Sequence, residues 1–194
     1  MKWDDDYYTR KAKREGYPAR SVYKLMEIQQ KYRIVSPGDR VLDLGAAPGS
    51  WSKYLLSCVG EKGLVVAVDL LPLVIGSHER LVFYQGDFTS DEVQERVDVH
   101  APFQVIVSDA APSTSGNRGL DTARSEALVE GILSLAGRWL VPGGNLVAKL
   151  FQGSGAQEIF RAVREGWERA YFVRPRATRR QSFEVFVVGV GRRS

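Results

Sequence analysis

Five short apolar runs divide the first 151 residues of the chain. RVLDLG (40–45), LVVAVDL (64–70), LVFYQGD (81–87), FQVIVSD (103–109) and GGNLVAKLF (143–151) are near-continuously apolar, as strands buried on both faces are. Ser50–Cys58, residues 120–140 and Gln157–Trp167 read as helices. In the second of these, Leu120, Leu128, Ile132, Leu135 and Trp139 recur at helical spacing. A further helix over 20–33 precedes the first strand, and AYFVR (170–174) with SFEVFVVGV (182–190) forms a closing antiparallel pair. Strands alternating with helices predict an α/β unit built on a parallel sheet. No repeat, low-complexity tract or linker interrupts it, so residues 1–194 read as one domain, with 1–33 as a basic N-terminal extension and helix.

Composition narrows the function classes. The single Cys58 excludes an internal disulfide framework and any multi-cysteine metal site, and two histidines, His78 and His100, leave little for a His-rich one. No apolar run approaches the ~20 residues of a membrane span, and MKWDDDYYTRK lacks the apolar core of a secretion signal. The expectation is a cytoplasmic enzyme or binding protein without metal or membrane. Charge is segregated: residues 7–33 carry +6, residues 161–194 carry +6, and residues 34–160 carry −6. If the two basic segments meet in space, they form a surface suited to a polyanion.

Candidate chemistry begins at Asp43-Leu-Gly45-Ala-Ala-Pro48-Gly49-Ser-Trp51, which spans the first strand, its turn and the next helix start. In such sheets ligands sit beyond the carboxyl ends of the strands, where strand order reverses. Gly45 and Gly49 let backbone come close to a ligand. The dinucleotide fingerprint G-x-G-x-x-G fails at Ala47, which argues against a nicotinamide dehydrogenase and for a ligand with no pyrophosphate to cradle. Asp69 closes the second strand, where a carboxylate accepts from ribose hydroxyls, and Asp87 closes the third, where it could accept from an adenine amino group. Alone, a strand-end glycine is often only a turn and a strand-end aspartate only a helix cap. Together, three successive strand ends point to a nucleotide-like cofactor.

A second constellation lies downstream. Lys149 interrupts the apolar NLVAKLF, and a buried lysine is costly unless paired or functional. Asp109 closes the fourth strand, Glu184 stands between Phe183 and Val185, and Lys24 lies on the first helix in ARSVYKL. The plain structural alternatives are a buried Lys149–Glu184 ion pair and a surface position for Lys24.

The ordered motifs ARSVYKLMEI, VLDLGAAPGSWS, VVAVDLLP, YQGDF, VSDAAPSTSG, LVAKLFQG and RPRATRRQSFEVFVV run from about residue 17 to about residue 190. They resemble the FtsJ/RrmJ family of S-adenosylmethionine-dependent ribose 2′-O-methyltransferases. Ser50 departs from the family's usual glycine, and Ala110 and Ser113 from its common Met and Asn. The resemblance implies a Rossmann-like class I methyltransferase fold: a seven-stranded, mostly parallel, doubly wound sheet with its last strand antiparallel. It implies S-adenosylmethionine held by Gly49, Trp51, Asp69, Asp87 and Asp109, beside the Gly45 turn, and a catalytic tetrad of Lys24, Asp109, Lys149 and Glu184.

A methyl group on a sulfonium is already activated. Attack by a ribose hydroxyl is therefore an in-line displacement in which positioning can be worth ~7–11 kcal/mol. Lys149 is the natural base for the hydroxyl proton, with Asp109 and Glu184 orienting the lysines. Arg10, Lys11, Lys13, Arg14 and Arg20 before the site, and Arg174, Arg176, Arg179 and Arg180 before Glu184, would form a phosphate-contacting rim. Tyr7, Tyr8 and Tyr17 could stack on unpaired bases or pack against the domain. The resemblance points to a uridine in large-subunit ribosomal RNA, within an assembled particle, modified by a monomer. The alternatives are a tRNA anticodon-loop methyltransferase, a non-catalytic RNA-binding assembly factor on the same fold, and a magnesium-dependent catechol-type enzyme.

Overall fold

A computed structural model describes residues 3–194, with side chains from Tyr7 onward. Along the chain run α1 (Trp3–Arg14), α2 (Val22–Tyr32), β1 (Arg40–Leu44), α3 (Ser50–Val59), β2 (Leu64–Asp69), β3 (Leu81–Gln85), α4 (Asp91–Asp98), β4 (Phe103–Ser108), α5 (Arg118–Trp139), β5 (Leu140–Phe151), α6 (Ala156–Gly166), β6 (Trp167–Val173) and β7 (Glu184–Arg192). The seven strands form one sheet in the order β3-β2-β1-β4-β5-β7-β6. Strands β1 to β5 pair in parallel, and β7 runs antiparallel to both β5 and β6. The doubly wound sheet with an antiparallel last strand is therefore as expected, and strand order reverses between β1 and β4.

Side-chain alternation along each strand divides the core in two. Leu42, Leu44, Ile106, Leu146 and Ala148 face α4, α5 and α6, whereas Val41, Val105, Val147, Phe186 and Val188 face α2 and α3. Fully burying an aliphatic or aromatic side chain contributes ~1.5–3 kcal/mol, so both faces must be covered, and the near-continuous apolar strands reflect this.

Four elements differ from the reading of the sequence. Helix α4 was not anticipated, because only Val93 and Val97 of it are buried. Its start is nonetheless marked by Ser90, whose Oγ accepts from the Val93 N–H, followed by Asp91 and Glu92 in the first turn. Helix α1 was read only as part of a basic extension, since Ala12 is its one fully buried apolar side chain among the described residues. Strand β5 begins at Leu140, inside the segment expected to be helical, and its register against β4 shifts before Val105. Likewise β6 begins at Trp167, directly after Gly166 ends α6.

The two basic segments do meet. The Arg20 guanidinium donates to the Ala177 carbonyl at 2.8 Å, and the Arg176 N–H donates to the Glu27 carboxylate at 2.8 Å. Ala12, Val22, Tyr23 and Ala177 form a small apolar cluster that fastens α1 and the 174–183 loop to α2.

Candidate active site

The β1–α3 turn is shaped by its glycines. Gly45 has φ +74°, and a Cβ there would stand 2.6 Å from Ala110, so the β1 and β4 ends approach more closely than a side chain allows. Asp69 fastens the same turn: Oδ2 accepts from the Ala47 N–H and Oδ1 from the Leu71 N–H, each at 2.8 Å. Each carboxylate oxygen keeps a second lone pair for a ligand hydroxyl. Asp87 lies just past β3 and uses Oδ1 to accept from the Thr89 N–H and hydroxyl. Gly45, Asp69, Asp87 and Asp109 together line a cavity of about 500 Å³ across the β1, β2, β3 and β4 ends, within the ~300–1,000 Å³ of small-molecule sites. Gly49 and the Trp51 indole do not line it. Gly49 caps α3 in the left-handed conformation against Ile75. The Trp51 side chain is buried, donates to the Ser21 carbonyl and stacks near Phe186, so any ligand contact from Trp51 runs through its backbone.

The four residues of the second constellation come together, but in pairs that differ from the plain alternative. Lys149 pairs with Asp109, not Glu184. Its Nζ donates to the Asp109 carbonyl and lies 3.1 Å from Oδ1, without the alignment of a hydrogen bond. Lys24 is buried, not a surface residue, and its Nζ forms an ion pair with Glu184 Oε1. Strand register explains the gathering. Lys149 faces Phe186 and Phe151 faces Glu184 across the antiparallel ladder, so Lys149 and Glu184 point to the α2 side of the sheet, toward Lys24. There Lys24 Nζ sits 5.8 Å from the Phe186 ring centroid. All four charged side chains are 11–17% exposed. Removing one partner of such a pair would leave a poorly solvated charge.

Asp109 opens into the first cavity. Lys24 and Glu184 line a second one, of about 380 Å³, with Arg20, Ser21, Arg179 and Gln181. The tetrad thus stands between two chambers, one walled by carboxylates and turn backbone, the other by arginines.

The proposed rim divides on inspection. Arg20 and Arg179 face the second chamber, and Lys11, Lys13 and Arg14 occupy the last turn of α1. Arg174 braces its own loop, with Nη2 reaching the carbonyls of Arg179, Arg180 and Ser182. Tyr8 packs on Tyr23, and Tyr17 joins the same cluster, whereas Tyr7 is 53% exposed.

Asp43 enters the sequence reading only as the start of the β1 motif, and Asp121 and Glu126 do not enter it at all. Asp43 is fully buried on β1; Oδ2 accepts from the Ser52 hydroxyl at 2.6 Å and Oδ1 has no partner. Burial, reinforced by Asp109 and Asp69 and opposed by the Ser52 hydrogen bond, pushes its carboxyl up to about 7. The signal was present: an acid inside the apolar VLDL is as anomalous as Lys149 inside NLVAKLF. Asp121 at the start of α5 accepts from the Ser115 N–H and hydroxyl, holding the loop that follows Asp109. Glu126 accepts from the Gly155 N–H and holds the loop that follows β5.

Comparison with known proteins agrees with this geometry. The chain is 50% identical over 186 residues to the ribosomal RNA large subunit methyltransferase E of Syntrophobacter fumaroxidans, covering 95% of this chain and 94% of that protein. It is 45% identical to the protein of the same name from Treponema denticola, covering 96% and 94%. In fold it is similar to a Plasmodium falciparum chain described as a ribosomal RNA methyltransferase, with TM-score 0.79 at 22% identity over 91% of this chain and 98% of that one. It is also similar to the fibrillarin of Aeropyrum pernix solved with S-adenosyl-L-methionine, with TM-score 0.60 at 14% identity over 81% and 68%. The family model for FtsJ-like methyltransferases spans residues 17–192, taking in both chambers and all four charged residues between them, and the chain belongs to that family.

Proposed function

We propose that this enzyme transfers a methyl group from S-adenosylmethionine to the ribose 2′-hydroxyl of an RNA nucleotide, a uridine of large-subunit ribosomal RNA in an assembled particle. The observation that carries this reading is the position of the Lys149–Asp109 and Lys24–Glu184 pairs on the wall between the two chambers. When bound, S-adenosylmethionine supplies a methyl group on a positively charged sulfur. The residues present suit it. The first chamber has the volume of a cofactor site, a glycine turn that approaches without a Cβ, and carboxylates at three strand ends with a fourth buried beneath them. Asp69 would accept from the ribose hydroxyls, Asp87 from the adenine amino group, and Asp109 would face the methionine end.

From the other side, the target ribose enters the arginine-lined chamber. Lys149 orients the attacking hydroxyl and receives its proton, and Asp109 holds the Lys149 side chain by backbone and carboxylate together. Glu184 fixes Lys24, whose ammonium borders the chamber that receives the nucleotide. Arg20, Arg179 and the basic end of α1 bind the flanking phosphates. We read residues 1–194 as one methyltransferase domain acting as a cytoplasmic monomer. Among the described residues no helix is long and apolar enough to cross a membrane.

The test is transfer of radiolabelled methyl groups to purified large ribosomal subunits, with bulk tRNA and free ribosomal RNA as competing acceptors. Nuclease digestion and mass spectrometry then identify the product. A 2′-O-methyluridine formed on the particle, in the presence of chelator, is expected. Preferential labelling of tRNA would replace the ribosomal assignment, and a requirement for magnesium in methyl transfer would remove this mechanism.

A further inference from the structure

Asp43 has no part in the chemistry above, yet its placement is unusual. It lies on the central strand β1, two residues before Gly45, which lines the donor chamber. It is 0% exposed, and among the described residues only one of its oxygens is hydrogen-bonded and no cation pairs with it. A structural acid would be saturated by donors or replaced by an apolar residue of similar size, because a half-satisfied buried carboxyl is costly.

The groups around it are mostly of one sign. From β2 comes Asp69, past β4 comes Asp109, and from α3 the neutral Ser52. Lys149 on β5 is committed to Asp109, Lys24 on α2 to Glu184, and Lys53 on α3 turns away to the Gly16 carbonyl. Beneath the strand ends, then, Asp43 and Asp69 carry no cation partner among the described residues, while Asp109 has Lys149. Donor and product differ there by one charge: the donor carries a sulfonium, whereas S-adenosylhomocysteine carries an uncharged thioether.

We propose that the Asp43 carboxylate, buried with one oxygen unpartnered behind the Gly45 turn, is the element by which the chamber prefers the charged methyl donor to its uncharged product. The proposal rests on the reading of the first cavity as the donor site. A cation in the chamber stabilises ionised Asp43, and ionised Asp43 stabilises the cation in equal measure. Methyl transfer removes the positive charge, Asp43 regains its proton, and the product is held less tightly. Because the carboxyl of the free enzyme is pushed up to about 7, this exchange falls at neutral pH, where a modest perturbation moves it.

The sign follows from linkage: the donor, not the product, binds more tightly as pH rises through neutrality. If the donor lowers the pKa of Asp43 by about one unit, its affinity rises about fivefold between pH 6 and pH 8, with release of about 0.4 proton at pH 7. Isothermal titration of S-adenosylmethionine and of S-adenosylhomocysteine into the full chain, at several pH values and in buffers of different ionisation enthalpy, reads both quantities without turnover. Titration of the ligands' own α-amino group is common to wild type and variants and cancels between them.

The expected result is a pH-dependent donor preference in the wild type that is lost in Asp43→Asn. Should Asp43→Asn fail to fold, Ser52→Ala serves in its place. Losing the hydrogen bond that favours the ionised form must move the midpoint of the donor curve to higher pH. Identical pH profiles for the two ligands, a preference that survives in Asp43→Asn, or an unmoved midpoint in Ser52→Ala would overturn the inference while leaving the donor site intact. Failure of both ligands to bind the wild type would instead remove the donor site itself.

Discussion

Replacing Lys149 by methionine separates chemistry from architecture. Methionine keeps most of the aliphatic stem that lies among Val147 and Phe186 on the α2 face of the sheet, and removes only the ammonium. The loss leaves Asp109, whose side chain is 17% exposed, without its cation. Breaking a buried pair in this way costs about 3–5 kcal/mol, and partial access of water to Asp109 places the value at or below the lower end. At ~2–4 °C per kcal/mol for a chain of this size, the melting temperature should fall by no more than roughly 6–12 °C. The double variant Lys149→Met/Asp109→Asn removes the stranded charge and should recover most of that loss. Activity should behave differently. Proton transfer by a positioned side chain contributes ~10²–10⁴-fold, so single-turnover methyl transfer at saturating donor and RNA should drop by about a thousandfold in both variants. Donor binding to Lys149→Met, measured by calorimetry, should persist, since the turn backbone and Asp69 are untouched. A variant that stays folded and keeps more than about a tenth of wild-type turnover would refute the role given to Lys149. Recovery of turnover together with stability in the double variant would show that the single substitution acts only through folding.

Gly45→Ala should lower both stability and donor affinity, because its Cβ meets Ala110 backbone at 2.6 Å and its φ is +74°; the cost is roughly 2–4 kcal/mol, combining overpacking with left-handed strain. Gly143→Ala is the control, with φ +79° but nothing within 4 Å, and should show the strain alone in thermal melts, with unchanged donor affinity. Asp121 is held below the usual carboxylate range by the N–H and hydroxyl of Ser115. Its stabilisation of the 110–117 loop is thus complete above about pH 4 and is lost as pH falls below that range. In Asp121→Ala the Ser115–Asn117 amides should exchange hydrogen faster at neutral pH, and the wild type should approach that behaviour only in acid.

How much of this was legible in the sequence depended on whether local pattern or long-range register decided the outcome. Strands β1, β2 and β4 declared themselves because burial on both faces makes them largely apolar, and the half-buried edge strand β3 by its run Leu81–Tyr84. Helix α4 did not, since two buried valines in eight residues carry little periodicity and only the Ser90 cap marks it. The tetrad could be named from motif resemblance and from the anomaly of Lys149, but its pairing could not. That Lys149 meets Asp109 and Lys24 meets Glu184 follows from the Lys149–Phe186 register of β5 with β7 and from the rotation of α2, which no linear spacing encodes. Arg174 shows what a charge count leaves out: one nitrogen of this guanidinium, Nη2, is turned to three carbonyls of its own loop.

The position of β7 couples maturation of the enzyme to its competence. This strand follows β6 in the chain but lies inside it in the sheet, filling the slot beside β5. Until β7 is synthesised, β6 has no hydrogen-bonded neighbour and β5 presents a raw edge open to foreign strands. Glu184 is the first residue of that strand, so the anchor for Lys24 arrives with the segment that seals the sheet. A nascent or C-terminally clipped chain therefore lacks the Lys24–Glu184 pair for as long as its β5 edge stays open, and the strand that completes the pair is the one that covers the edge.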